Sequence, residues 1–211
     1  KYIGVGPAEQ RAAAALAIIK HMYNENANYV QINQVLIQVL IAGLTDCDDL
    51  VREKITNALN ENQNYDEFLA QKDNLDILFI GVNDSSFAVR SNVVSTIGRL
   101  SSIHSIIVLP HIREILQSLL FELDFSQVKE TKLENCKLLC TIVQHCIELI
   151  KPFIKQVCRT ILTVISKTDP LQYSELITVC LFTIGELFSQ CGTELLEFLQ
   201  ETVDAIVKQL Q

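Results

Sequence analysis

The sequence predicts an all-α fold in which about four helix pairs stack side by side into a superhelix, with a half-repeat at each end. Three observations support this prediction. Apolar residues make up 49% of the 211 residues, which is enough for a continuous core. Glycine and proline are scarce, at 7 and 4 residues, and this favours long helices over turn-rich β structure. A short phrase also recurs along the chain, about every 40 residues, as in proteins built from stacked helical repeats.

The recurring motif is LTDCDDLVR in one copy and VNDSSFAVR in the next. In both copies an Asp is followed six residues later by an Arg, which gives the pairs Asp46 with Arg52 and Asp84 with Arg90. Weaker copies that lack the Val-Arg ending begin at Asp124 and Asp169. The four Asp residues lie 38, 40 and 45 residues apart, so the repeat persists through most of the chain.

The elements follow from this period in chain order. A half-repeat is expected at 7–24, helix pairs at 28–62, 73–102, 108–148 and 150–191, and a second half-repeat at 193–211. The pair at 150–191 illustrates the pattern, because its first helix has apolar residues at helical spacing. These apolar positions are 153, 154, 157, 161, 164 and 165. The letters KTDP then interrupt the pattern, where Asp169 can cap the next helix and Pro170 can begin it.

Two further markers recur in register. STIGRLS and FTIGELF place Gly98 and Gly185 within second helices, where we expect glycine to permit close helix approach. LPHI and KPFI place Pro110 and Pro152 at the start of first helices. Proline is tolerated in the first helical turn because its missing N–H would have no partner there.

A helix pair of about 40 residues cannot bury its own apolar face and must stack on its copies, as in HEAT and armadillo-like solenoids. The tetratricopeptide alternative requires a 34-residue period and a Trp in its pattern, and this chain has no Trp. A closed helical bundle is also possible, but it would not require the same turn chemistry at regular intervals.

The repeated Asp and Arg therefore have a predicted structural role. The Asp lies in the turn within each pair, where its carboxylate can accept from exposed N–H groups at the next helix start. HEAT repeats commonly use such residues to link neighbouring turns. By that resemblance, we expect Arg52 to reach Asp84 or its own turn, and charge-assisted hydrogen bonds there to fix the stacking angle.

Charge and cysteine usage narrow the class of partner. The net charge of −8 disfavours binding to nucleic acid or to an anionic membrane surface, since both need a basic patch. The most apolar run is too short to insert directly into a membrane. An odd number of cysteines, seven, without a secretory signal predicts a reducing, cytoplasmic environment in which thiols act as small core residues.

No catalytic, cofactor-binding or metal-binding residue is predicted. An EF-hand loop beginning at Asp46 would need Gly and Glu where the chain has Val51 and Asn57. The GVG near the N-terminus lacks the third glycine of a dinucleotide loop. Cys136 and Cys140 share a helix face, but their spacing is not that of a structural zinc site, so they are better explained as core thiols.

A longer stretch, residues 74–123, resembles the N-terminal HEAT-repeat solenoid of the target-of-rapamycin (TOR) kinase family. The resemblance rests on the ND…F.VR turn, on TIGRLSS and on the P.IR..L...L.EL helix. GLTDCDDLVRE lies upstream, and LIKPFIKQV and TIGELFSQCGTELLEFLQE follow in order, so it covers about residues 36–211. The chain begins with Lys1 and ends inside a helical pattern, and we expect it to be a fragment of a longer protein.

The resemblance implies a parent serine/threonine protein kinase that controls growth in response to nutrients, with its catalytic domain outside this chain. It implies that this segment is a scaffold for accessory subunits of the Raptor or Rictor type and for a second TOR chain. It also implies a cytoplasmic protein that reaches the lysosome, the vacuole or other endomembranes through its partners. The alternative is a HEAT adaptor of another kind, a nuclear transport receptor or a phosphatase scaffold subunit.

Overall fold

The computed structural model describes residues 5–21, 29–169 and 172–209, and every regular element within these ranges is helical. The prediction of an all-α fold is confirmed. The helices divide between two compact units, Lys1–Val108 and Leu109–Gln211.

Unit 1 consists of two adjoining rows of helices. One row contains α1 (Ala8–His21), α3 (Asp49–Glu61) and α6 (Phe87–Leu100), which pack side by side. The other contains α2 (Tyr29–Leu44) and α5 (Lys72–Ile80). Each row buries one apolar face against the other, which is the arrangement expected when helix pairs stack on their copies.

A short helical connection that the repeat period did not predict joins α3 to α5. It consists of a 3-10 turn, Gln63–Tyr65, and the single-turn helix α4, Asp66–Leu69. The buried Tyr65 hydroxyl donates to the carbonyl oxygen of Ile19 at 2.8 Å, near the end of α1. The connection therefore satisfies a carbonyl group that the end of a helix would otherwise leave without a partner.

Unit 2 has a second set of packed helices. The chain enters it through α7 (Ser105–Phe125), continues through α8 (Lys129–Ile150) and α9 (Ile154–Lys167), and reaches α10 (Ser174–Cys191) and α11 (Leu199–Gln209). α8 packs along α10, while α9 packs against α10, α11 and the 3-10 segment Gly192–Phe198. Backbone angles of φ −121° and ψ 21° at Cys146 bend α8 near its end.

The start of α7 differs from the expectation for Pro110. The helix begins at Ser105, so Pro110 is its sixth residue rather than a member of its first turn. The carbonyl oxygen of Ile106, four residues earlier, therefore lacks the usual helical N–H partner. Pro152 lies in a 3-10 turn, Lys151–Phe153, directly before α9.

One helical stretch, Ser174–Lys208, is long and apolar enough to cross a membrane by length and composition alone. It is interrupted by the 3-10 segment Gly192–Phe198. Its first part, α10, buries Leu176, Cys180 and Leu187 in the core of unit 2. A core helix of a packed protein explains the same apolar composition.

Candidate functional site

The turn between α2 and α3 is organised by Asp46. Its Oδ1 accepts from the backbone N–H of Asp48 at 2.9 Å, and Asp48 in turn accepts from the Leu50 N–H at 3.0 Å and caps α3. Arg11 of α1 donates to both oxygens of Asp46, from Nε at 2.8 Å and from Nη2 at 2.7 Å. A single carboxylate thus holds its own turn and binds a helix of the preceding repeat.

The turn before α6 has the same geometry around Asp84. Its Oδ1 accepts from the Ser86 N–H at 2.8 Å. Arg52 of α3 donates to both carboxylate oxygens, from Nε at 2.6 Å and from Nη2 at 2.9 Å. The side chains of Arg52 and Asp84 are only 11% and 9% exposed, so this two-point contact is largely shielded from water.

One guanidinium nitrogen of each Arg also donates to a backbone carbonyl of the turn that precedes its own helix. Nη1 of Arg52 donates to the Asp46 carbonyl at 2.8 Å, and Nη1 of Arg90 donates to the Asp84 carbonyl at 2.6 Å. Arg11 binds the Gly6 carbonyl in the same way. Arg52 therefore makes both of the contacts that the sequence left as alternatives. We call Arg11, Asp46, Arg52, Asp84 and Arg90 the Arg–Asp ladder.

The ladder shifts the pKa values of Asp46, Asp84 and Arg52. The hydrogen bonds from Arg11 hold the pKa of Asp46 below its ordinary value. Burial by itself raises the pKa of Asp84, but the hydrogen bonds from Arg52 and the Ser86 N–H, with the Arg52 charge, outweigh it and lower the pKa. The hydrogen bond to Asp84 likewise raises the pKa of Arg52. Both carboxylates are therefore ionised in the folded protein at neutral pH.

Sequence reasoning missed two arginines of unit 1. Arg11 precedes Arg52 by 41 residues, which is one repeat, and this spacing could have identified it. Arg99 lies within the TIGRLSS marker. It pairs with both oxygens of Asp66 at 2.8 Å and donates to the carbonyls of Asn60 and Leu59 at the end of α3. A cation placed there also opposes the negative end of the helix dipole.

The two later Asp residues do not occupy the N-cap positions of the helices that follow them. Asp124 is exposed in the last turn of α7, and the cap position of α8 is Val128, which makes no side-chain capping bond. Asp169 is exposed, and its carbonyl accepts from the N–H groups of Gln172 and Tyr173. Tyr173 precedes α10, which begins at Ser174, and the expected start at Pro170 lies outside the described residues.

The expectation for Gly185 also requires a correction. Gly185 is exposed, and a Cβ there would meet no atom of the described residues within 4 Å, so helix packing does not require glycine at that position. Gly98 is buried, and its carbonyl accepts from the Ser101 hydroxyl at 2.6 Å. Close approaches occur at Gly43 and Gly81. A Cβ would lie 2.8 Å from an Ile55 methyl at the first and 2.8 Å from a Val93 methyl at the second.

The cysteines of α8 and α10 are core residues. The Sγ atoms of Cys136 and Cys180 lie 3.4 Å apart in the interior of unit 2 as free thiols. The hydrogen bond with Cys136 and burial raise the pKa of Cys180, and burial raises the pKa of Cys140. Within the described ranges, no three His, Cys, Asp or Glu side chains converge as metal ligands would.

Unit 1 contains a small apolar pocket between its helix rows. It is lined by Ile19, Leu36, Val39, Leu40, Leu59, Tyr65, Phe68 and Leu69. Its volume of about 10 Å³ is that of a single water molecule. Small-molecule sites occupy about 300–1,000 Å³ and have converging polar groups, so this pocket is a packing gap.

Comparisons with known proteins place these helices in a family. No family model matches the chain. The chain is similar to the serine/threonine-protein kinase TOR2 of Saccharomyces cerevisiae, with 33% identity over 180 residues, 85% of this chain and 7% of the yeast protein. It is 32% identical to the serine/threonine-protein kinase TOR of Arabidopsis thaliana over 180 residues, again 85% of this chain and 7% of the plant protein.

A third relative extends the comparison to animals. The chain is 31% identical to the serine/threonine-protein kinase mTor of Drosophila melanogaster over 156 residues, 74% of this chain and 6% of the fly protein. The chain spans about 7% of the length of the first curated relatives it matches. It belongs to the target-of-rapamycin family as one all-helical segment of such a kinase.

Proposed function

We propose that this segment is a protein–protein interaction scaffold of a TOR-type kinase. It would position accessory subunits and the kinase dimer in a complex that signals nutrient supply and growth. The observation that carries the proposal is the Arg–Asp ladder, which links three consecutive helices of one row through their turns. Such a ladder fixes the spacing of helices, and fixed spacing is the property that a scaffold supplies.

The mechanism is geometric. Each ladder carboxylate is bound at two points by an arginine, so adjacent helices of unit 1 cannot slide past one another without breaking charge-assisted hydrogen bonds. A surface held in this way loses little conformational entropy when a partner binds. The helix faces turned to solvent then present side chains at defined distances.

The proposed partners are accessory subunits of the Raptor or Rictor type and a second TOR chain. Membership of the TOR family supports this assignment. The excess of carboxylates, which gives the chain its charge of −8, favours partner surfaces with Lys and Arg over nucleic acid. The protein would act in the cytoplasm and reach the lysosome, the vacuole or other endomembranes through these partners.

We also propose that the segment itself is not catalytic and that the kinase chemistry of the whole protein belongs to a part outside this chain. The ionisable groups with shifted pKa values in unit 1 are committed to the ladder, where each has a structural partner. The relatives reported above are all TOR kinases, and no observation on this chain favours a nuclear transport receptor or a phosphatase scaffold.

The test is a binding titration of the purified chain against a Raptor-type subunit at two salt concentrations. We expect saturable binding with a micromolar or lower Kd, weakened by salt if carboxylates contribute to the interface. Circular dichroism establishes that the chain is helical under the same conditions. A folded chain that binds neither a Raptor-type nor a Rictor-type subunit would contradict the docking role.

A further inference from the structure

The end of α7 carries an apolar surface that the fold does not bury. The side chains of Phe121 and Phe125 are 63% and 64% exposed, and Val128, just after the helix, is 54% exposed. The two rings lie 4.7 Å apart, centroid to centroid, so they form one continuous surface. We call these three residues the phenylalanine patch.

The repeat itself does not require phenylalanine at these positions. In the register set by LPHI and KPFI, the positions of Phe121 and Phe125 correspond to Thr163 and Lys167 of α9, 42 residues later. The helical register is maintained there with polar side chains. Contiguous exposed apolar surface often marks a site of interaction with another molecule.

Carboxylates outnumber cations beside the patch. Glu114, Glu122 and Asp124 are exposed on α7, and Glu122 also accepts from the Asn135 amide at 2.6 Å. The flanking cations are Arg113 and Lys129. Lys129 is held by the Gln172 carbonyl at 3.0 Å and lies 4.6 Å from the centre of the Tyr173 ring. Arg113 likewise lies 5.5 Å from the centre of the Phe153 ring. Both flanking cations therefore already contact groups of unit 2, and the patch lies beside a helix face with more carboxylates than cations.

We infer that the phenylalanine patch docks an amphipathic helix of a partner protein, one with bulky apolar residues at i and i+3 or i+4 flanked by Lys and Arg. Residues Gln117, Phe121 and Phe125 follow one another at i+4, and such a ridge fits the groove between side chains of a second helix. The two aromatic rings would supply the buried anchors, and the carboxylates would select a basic partner.

The carboxylates beside the patch disfavour two other occupants of it, a second copy of this chain and an anionic membrane. A second copy of this face would bring two sets of carboxylates together, and an anionic membrane surface would repel them. The inference rests on the proposed scaffold function, because it names the chemistry of one partner element of that scaffold.

The experiment uses the whole chain and a fluorescent model peptide of Leu and Lys that forms an amphipathic helix. An otherwise identical peptide with Glu in place of Lys is the charge control. We expect saturable 1:1 binding of the basic peptide and at least about tenfold weaker binding of the acidic peptide, which corresponds to about 1.4 kcal/mol. Absence of saturable binding by the basic peptide overturns the inference.

The double variant Phe121→Ser/Phe125→Ser locates the site. Both side chains are exposed, so we expect the variant to keep the helical circular dichroism of the wild type and to bind the basic peptide about tenfold more weakly or worse. The matched control is Leu196→Ser/Leu199→Ser, which removes two apolar side chains that are 65% and 47% exposed elsewhere in unit 2. An equal loss in the control would show general hydrophobic adhesion and overturn the inference.

Two further outcomes would also overturn it. One is binding to phosphatidylcholine and phosphatidylserine vesicles that the double variant abolishes, which would assign the patch to a membrane. The other is a dimer in sedimentation that only the double variant dissociates, which would assign it to a second copy. Binding of a Raptor-type subunit tests the scaffold role separately, so either proposal can fail while the other stands.

Discussion

Arg52 links two successive turns of unit 1. Its guanidinium binds both oxygens of Asp84 in the following turn and the carbonyl of Asp46 in its own turn. Lysine could not replace it, because an ammonium group has no planar fork to match a carboxylate at two points. The side chain therefore acts as a spacer of fixed length between two turns.

Replacement of Arg52 should destabilise the chain strongly. Arg52→Ala leaves the shielded carboxylate of Asp84 without its cation, and we expect the free energy of unfolding to fall by about 3 kcal/mol. Arg52→Lys should cost less, about 1–2 kcal/mol, because one contact survives. Urea unfolding followed by circular dichroism measures both changes.

The matched control is Lys137→Ala in unit 2. It removes the Lys137–Glu175 ion pair, whose side chains are 37% and 66% exposed. We expect a change below about 1 kcal/mol, because water already solvates both charges. Equal effects at Arg52 and Lys137 would show that the ladder contributes no more than an ordinary surface pair.

The ladder should also give the chain a characteristic sensitivity to acid. The folded-state pKa of Asp84 lies below its ordinary value, which is about 3.9 in an unfolded chain. Its contribution to stability is therefore complete above about pH 4 and is lost as the pH falls through the lowered folded-state pKa. Asp84→Asn should lower the Tm at pH 7, and the difference from wild type should shrink progressively below about pH 4.

Thermal unfolding from pH 7 to pH 2 measures this dependence. Asp124→Asn serves as the control, because Asp124 is exposed and lies outside the ladder. A wild type and an Asp84→Asn variant whose Tm values differ equally at pH 7 and pH 2 would contradict the assignment.

At the scale of elements, two glycines set how closely helices approach one another. Gly43 of α2 faces Ile55 of α3, and Gly81, at the end of α5, faces Val93 of α6. A helix pair that shares a ladder turn must also close tightly beside it, because the turn is short. The glycine marker in TIG that the sequence suggested was therefore the wrong one at Gly185, which faces solvent.

Replacement by alanine should distinguish the tightly packed Gly43 from the exposed Gly185. At Gly43 a Cβ would lie 2.8 Å and 2.9 Å from two Ile55 carbons, so α2 and α3 must shift. We expect Gly43→Ala to lower the free energy of unfolding by about 1–3 kcal/mol. Gly185→Ala, in an exposed helical position, should instead raise it by about 0.5–1 kcal/mol. Chemical denaturation of both variants checks this, and a stabilised Gly43→Ala would disprove the close approach.

At the scale of the whole molecule, the accessibility of the cysteines shows how well the core excludes solvent. Six of the seven are buried and Cys47 alone is exposed. Burial raises the pKa of Cys158 to about 11, so little thiolate is available there at neutral pH.

Thiol reactivity tests this directly. With the folded chain and Ellman's reagent at pH 8, we expect one thiol to react rapidly and six to react slowly, because the thiolate is the reactive form and must be accessible. Cys47→Ser should remove the rapid phase, and the wild type in urea should expose all seven. A rapid phase that survives in Cys47→Ser would show that a core cysteine is accessible.

Much of the fold followed from the sequence alone. Helical spacing of apolar residues and the scarcity of glycine and proline determined the all-α class, because these properties act within a few residues of the chain. The repeat of Asp46 and Arg52 at Asp84 and Arg90 identified most of the ladder, because a recurring turn imposes recurring chemistry.

What only the tertiary structure decided depends on contacts between distant residues. The spacing of Arg11 from Arg52 could mark Arg11 as a candidate, but its contact with Asp46 depends on the packing of α1 beside α3. Gly43 rather than Gly185 lies at a close approach because the partner side chain comes from another helix. The exposure of Phe121 and Phe125 also could not be predicted, since an apolar helical residue is ordinarily expected inside, and only packing determines which face remains uncovered.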